Sequence, residues 1–161
     1  MKRILTLILL TIFFFLMEFC LFNLFGKNFA AELLLLLVVF VNLSLGIRYA
    51  LFVAIFAGIL KDSFSTTFFF FYTFSFIAIA YVSTILRRYI YGSAIIKNLL
   101  LIFMLLIFQF IIHFILSFSS GINCLSLNIF SNILFPKVVS TLILTPLIFN
   151  KLKKCASKSF V

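Results

Sequence analysis

The sequence predicts an all-α integral membrane protein of six transmembrane helices, with both termini cytoplasmic. Three observations predict it. Of 161 residues, 66% are hydrophobic, 26 are Phe and only 10% are charged. A soluble domain of this size has too little interior to hide that much apolar surface. Apolar runs recur at lengths that cross ~30 Å of hydrocarbon at ~1.5 Å per residue. The 13 Lys and Arg, set against three acids, fall mainly between those runs and at the chain ends.

The first helix is expected at residues 4–25. "MKRILTLILLTIFFFLMEFC" opens like a signal peptide, with Lys2 and Arg3 ahead of an apolar stretch. That stretch runs on to Phe25, longer than a signal core of ~7–15 residues, and no small-residue cleavage site follows. Glu18 and Phe19 before Cys20 also spoil a lipoprotein site, so the segment reads as a retained span.

Residues 29–60 form one overlong helix or two short ones turning at Gly46-Ile47-Arg48, and the distribution of cations decides. With helices at 29–45 and 47–61, one side receives Lys2, Arg3, Arg48, Arg87, Arg88, Lys97, Lys151, Lys153, Lys154 and Lys158. The other receives Lys27 and Lys61, while Lys137 falls inside the last span. Gly46 suits the turn because it tolerates positive φ. The remaining helices are expected at 66–86, 98–118 and 129–149, making residues 1–161 one polytopic domain.

The charges lie at span ends, not in a basic patch interleaved with aromatics, which excludes nucleic acid as a partner. Cys20, Cys124 and Cys155 have no metal-like spacing. One His, one Asp and two Glu offer no paired carboxylates or nucleophile–base set, and no Gly-rich phosphate loop appears. The sequence therefore predicts neither an enzyme nor a bound cofactor or metal.

Polar residues within the spans carry the remaining information. Ala50, Ala54 and Gly58 recur every four residues and form a slightly spiralling stripe of small side chains. Asp62 continues it one turn further. Two readings of Asp62 are open: a charge that simply ends a span, or, with Ser63, Ser65 and Thr66, a cap on the fourth helix. Lys61 is expected to snorkel outward on its apolar stem while Asp62 stays inward. In the fifth helix Gln109, His113 and Ser117 share one face. Depth counting places Glu18, His113 and Lys137 in the same outer half of the bilayer, as a candidate polar cluster. The plainer alternative is a snorkelling Lys137 and a neutral, packed His113.

"AAELLLLLVVFVNLSLGIRYALFVAIFAGILKDSFS", followed by a helix ending "AYVSTILRRYIY", resembles the rod shape-determining membrane protein family MreD. In that family a small-residue helix ends in Gly-x-hydrophobic-hydrophobic-x-Asp and a Ser-Gly turn, which Gly58, Asp62 and Ser65 match. The spacing from Asp62 to Arg87 and Arg88 fits, and "STLILTPLIFNKLKK" resembles the final helix with Pro146 and its basic tail. The likeness covers residues 29–92 well and 137–154 weakly. Thr66 replaces the usual turn Gly, Ala31 the usual Pro before the second helix, and Thr141 an Asn in the last.

The resemblance implies a non-enzymatic component of the bacterial cell-elongation complex in the inner membrane. Its implied partners are an MreC-like bitopic protein, a RodA-type glycosyltransferase, a penicillin-binding transpeptidase and the MreB filament. It also implies that the stripe and Asp62 shape the bundle, and that Arg48, Arg87 and Arg88 face filament proteins or membrane lipid headgroups. A six-helix bundle of this length also resembles the substrate-binding component of an energy-coupling-factor vitamin transporter. In that alternative Glu18, His113 and Lys137 line an outward-facing pocket.

Overall fold

The computed structural model describes residues 2–26, 31–64, 70–89, 102–104, 107, 108, 111 and 135–159. Five helices are described along the chain: α1 (Lys2–Phe25), α2 (Leu33–Leu45), α3 (Ile47–Phe64), α4 (Phe71–Tyr89) and α5 (Phe135–Ser159). Residues 102–104, 107, 108 and 111 are helical as well, within the span expected at 98–118. No strand occurs among the described residues. The chain is all-α.

α2 is the hub. Its sequence LLLLLVVFVNLSL is apolar on every side, and residues Leu33 to Asn42 are all buried. A helix that is hydrophobic all round needs neighbours all round. α2 duly contacts α1, α3, α4 and α5. α1 sits at the periphery, burying the line Leu7, Thr11 and Phe14 while Leu5, Leu9, Ile12, Phe13 and Leu16 stay exposed.

Contacts near the helix ends fix the directions. Glu18, late in α1, meets Leu34, early in α2, and Lys61, late in α3. Asp62, late in α3, meets Tyr72 and Thr73, early in α4. Thr141, early in α5, meets Glu32 just before α2. α1 and α3 therefore run one way, and α2, α4 and α5 the other.

The break expected at Gly46 is present, with φ +93 separating α2 from α3. Several helix limits differ from the sequence reading. α2 starts at Leu33: Glu32 before it closes a tight turn in which the N–H of Leu33 donates to the Ala31 carbonyl at 3.1 Å, and the backbone N–H of Glu32 is held by Thr141 instead of a helical carbonyl. α3 runs three residues past Lys61, to Phe64. α4 starts at Phe71 because Phe70 takes a left-handed φ of +62 and Asp62 meets the N–H groups just beyond it. α5, described from Phe135, continues past the expected end at 149 to Ser159, since a Lys-rich tail without Gly or Pro is compatible with a helix.

Among the described residues, only α1, over Arg3–Leu24, is both long and apolar enough to cross a membrane by length and composition; Leu33–Leu45, Phe71–Leu86 and Val138–Phe149 are shorter apolar helices.

Candidate functional site: a polar joint between four helix ends

Two helices in this fold begin without a cap of their own. Glu32 precedes α2 but makes no side-chain capping bond. Phe70 precedes α4, and its side chain carries no polar atom to act as a cap. Each helix start leaves N–H groups that need an acceptor and carries the positive end of a backbone dipole. Both are met by a carboxylate from a different helix. Glu18 Oε2 of α1 accepts the N–H of Leu34 at 3.0 Å. Asp62 of α3 accepts the N–H of Tyr72 at 2.9 Å through Oδ1, and that of Thr73 at 3.0 Å through Oδ2. The Thr73 hydroxyl donates to the same Oδ2 at 2.7 Å.

Gly58 explains how α4 comes close enough. A Cβ on Gly58 would lie 2.8 Å from both the backbone nitrogen and Oγ1 of Thr73, and closer still to its Cα. Hydrogen in place of a methyl group lets the α4 backbone rest on α3 one turn before Asp62. Ala50, Ala54 and Ala57 are fully buried on α3, so the small-residue stripe packs within this chain. The short side chains bring the helices together, and Asp62 fixes the start of α4.

Lys61 points inward. Its ammonium donates to Glu18 Oε1 at 2.7 Å and lies 3.6 Å from Glu32 Oε1. It also sits 4.8 Å from the centre of the Tyr72 ring and 5.7 Å from that of Phe76. The expectation that Lys61 snorkels outward is corrected: its side chain is 15% exposed and Glu18's is 14%. Two carboxylates and two aromatic faces hold the ammonium more favourably than a lone excursion to the surface would. Glu32 is tied in turn to α5, its N–H donating to the Thr141 hydroxyl at 3.2 Å.

Of the polar cluster expected from depth counting, Glu18 is in place with Lys61 as its described cation. His113 and the side chain of Lys137 lie outside the described residues, as do Ser65 and the side chains of Arg87 and Arg88. Pro146 lies inside α5, where it removes one helical N–H.

Sequence reasoning missed Glu32, Thr73 and the inward Lys61. It also missed a second polar joint at the far end of α2. Asn42, buried, reaches α4 with its amide nitrogen beside the hydroxyls of Ser83 and Thr84, the latter at 2.9 Å. Those hydroxyls donate to the Ala80 carbonyl at 3.0 and 2.9 Å, which leaves their lone pairs turned to Asn42. One Asn in an otherwise apolar run, and Ser-Thr in "AYVSTIL", were the available signal.

Among the described residues no group of three His, Cys, Asp or Glu is placed to hold a metal ion. What the joint provides is directional attachment between helices. No protein-family model, curated protein or solved structure matches this chain.

Proposed function

We propose that the chain is a multi-pass protein of the bacterial inner membrane that acts as a non-enzymatic, MreD-like component of the cell-elongation complex. In this role it supports cell-wall synthesis and cell shape by packing its helices against partner spans. The observation that carries the proposal is the Gly58–Asp62–Thr73 joint. Gly58 and Asp62, two of the residues on which the resemblance rests, seat α4 on α3 through Thr73.

Two further features support a bilayer. Large apolar side chains are exposed on the four helices around α2: Leu5, Leu9 and Phe13 on α1, Phe52 and Ile55 on α3, Phe74 and Ile85 on α4, Ile143 and Leu147 on α5. Such a belt suits hydrocarbon and the spans of membrane partners. The second feature is depth. The 13 residues of α2 are about 20 Å long, shorter than the ~30 Å hydrocarbon core. With the cation-rich end in cytoplasmic headgroups, Glu18, Glu32 and Lys61 fall below the outer surface, where mutual pairing is what makes charge tolerable.

The partners proposed are an MreC-like bitopic protein, a RodA-type glycosyltransferase and a penicillin-binding transpeptidase. The protein would be purified from its native membrane in mild detergent and its companions identified by mass spectrometry. Recovery of those partners, and their loss in Asp62→Ala, is the expected result. Recovery of a pair of ATP-binding-cassette subunits with a coupling membrane subunit would instead make this a transporter component.

A further inference from the structure

We propose that the Glu18 end of α1 is a releasable strap, and that Glu32 is the second acceptor which lets it open; the proposal rests on the bilayer reading above. Among the described residues α1 alone is long and apolar enough to stand in a membrane by itself. α2, with 13 residues, is not, and it depends on neighbours on every side. In lipid, an apolar helix that leaves a bundle exchanges protein contacts for acyl-chain contacts, so little hydrophobic energy holds it in place. Beyond Phe14 no described side chain of α1 is buried. Phe15 and Leu21 lean on the core, and the rings of Phe15 and Phe19 meet the exposed Phe64 at 5.2 and 6.2 Å. Glu18 fastens this end, through the Leu34 N–H of α2 and the Lys61 ammonium of α3.

Opening such a joint ordinarily strands a charge, and that cost keeps buried ion pairs shut. Here the ammonium has a second place to go. Glu32 Oε1, at the foot of α2, lies 3.6 Å from it, against 2.7 Å for Glu18 Oε1. A lysine head is a compact charge on a flexible stem, so a small swing exchanges one carboxylate for the other without the planar fit an arginine would need. The Tyr72 and Phe76 rings of α4 face the ammonium at 4.8 and 5.7 Å and belong to a helix that stays.

With the strap closed, Lys61 joins α3 to α1. With it open, Lys61 joins α3 to the foot of α2 and no ammonium is left bare. The Glu18 side chain is already part-exposed, at 14%, and leaves with α1 toward the outer headgroups and water. Asp62 keeps its hold on Tyr72 and Thr73 in both states, so the seat of α4 on α3 does not change. One side chain with two discrete partners makes a two-state element, in which α1 moves while α2 to α5 hold together.

The test uses the full chain in lipid-bilayer discs, with Cys20→Ser, Cys124→Ser and Cys155→Ser. Spin labels are attached at Leu16→Cys on α1 and Phe74→Cys on α4, both exposed positions. A second pair, at Phe52→Cys and Phe74→Cys, follows α3 against α4. Pulsed electron resonance should show two distances for the first pair and one for the second. Glu32→Gln removes the second acceptor and should lower the longer-distance population by roughly three- to twentyfold, the worth of a polar contact between membrane helices. Glu18→Gln should raise that population by a similar factor. If Glu32 merely supports the fold, its loss would enlarge the longer-distance population instead. Such an enlargement, or a single distance in the parent and both variants, would overturn the strap. Should Glu32→Gln fail to fold, Glu18→Gln decides alone, and an unchanged population there overturns it. Carbonate extraction of the source membranes separates the two failures. Release into the soluble fraction overturns the bilayer reading, whereas protein that stays and shows one fixed distance overturns the strap alone.

Discussion

Lys61 Nζ lies 2.7 Å from Glu18 Oε1, joining the peripheral helix α1 to the close-packed helix α3. The same Glu18 uses its other oxygen to hold the N–H of Leu34, so one side chain ties α1 to two neighbours. Removing a partner from such a pair strands a charge in surroundings that solvate it poorly.

Lys61→Met is therefore expected to destabilise the fold by about 3–5 kcal/mol. Glu18→Gln keeps an oxygen for Leu34 and loses only the ion pair, so it should cost less. The double variant should cost less than the sum of the singles, with a coupling of about 0.5–3 kcal/mol. A double-mutant cycle from reversible unfolding in detergent micelles measures it, and strict additivity would sink the pairing.

Asp62→Ala removes the acceptor for two N–H groups and a hydroxyl at the start of α4 and should cost about 1–2 kcal/mol, as a lost N-cap does. Asp62→Asn keeps an oxygen and should recover much of that. Ser63→Ala is the contrast. Its hydroxyl is exposed and donates within its own helix to the Ile59 carbonyl at 2.8 Å, so its loss should fall within measurement error. Hydrogen exchange at Tyr72 and Thr73 should quicken in Asp62→Ala and stay unchanged in Ser63→Ala.

Two glycines should fail for different reasons. Gly58→Ala forces the Thr73 backbone away, an overpacking cost of about 1–3 kcal/mol. Gly46→Ala meets nothing within 4 Å but must hold φ +93, a strain of about 1–3 kcal/mol. Disulfide trapping between cysteines placed on α3 and α4 separates the two cases. Gly58→Ala should slow cross-linking, and Gly46→Ala should leave it unchanged. The same rate in both variants would rule out the close approach.

Asn42→Ala should cost about 0.6–1.7 kcal/mol, the range for polar contacts between membrane helices. Thr84→Val alone should cost less, because Ser83 still accepts from the Asn42 amide. Once Asn42 is Ala, Thr84→Val should cost almost nothing further. Thermal unfolding of the three variants in one detergent decides it.

The helical class, the break at Gly46 and the grouping of cations at alternate loops were all legible in the chain. Each follows from local rules: apolar run length, a residue that accepts positive φ, and charge sign along the sequence. The spacing of Ala50, Ala54 and Gly58 likewise marked one face of α3 as a packing stripe. Asp62 was legible as a candidate cap for the next helix, though the cap falls at Tyr72 and Thr73, beyond the start expected at residue 66. A start set by a distant acceptor leaves no local signal.

What only the tertiary structure decided is which charges meet. Depth counting ranks residues along a helix axis but says nothing of the angle at which they face one another. Lys61 reads as an outward, snorkelling cation because its long apolar stem at a span end allows it. The fold supplies Glu18 from 43 residues earlier and Glu32 from the foot of the central helix. Hydrophobicity and charge sign are properties of a segment and can be read from it. An ion pair between helices depends on rotation and register, which packing alone sets.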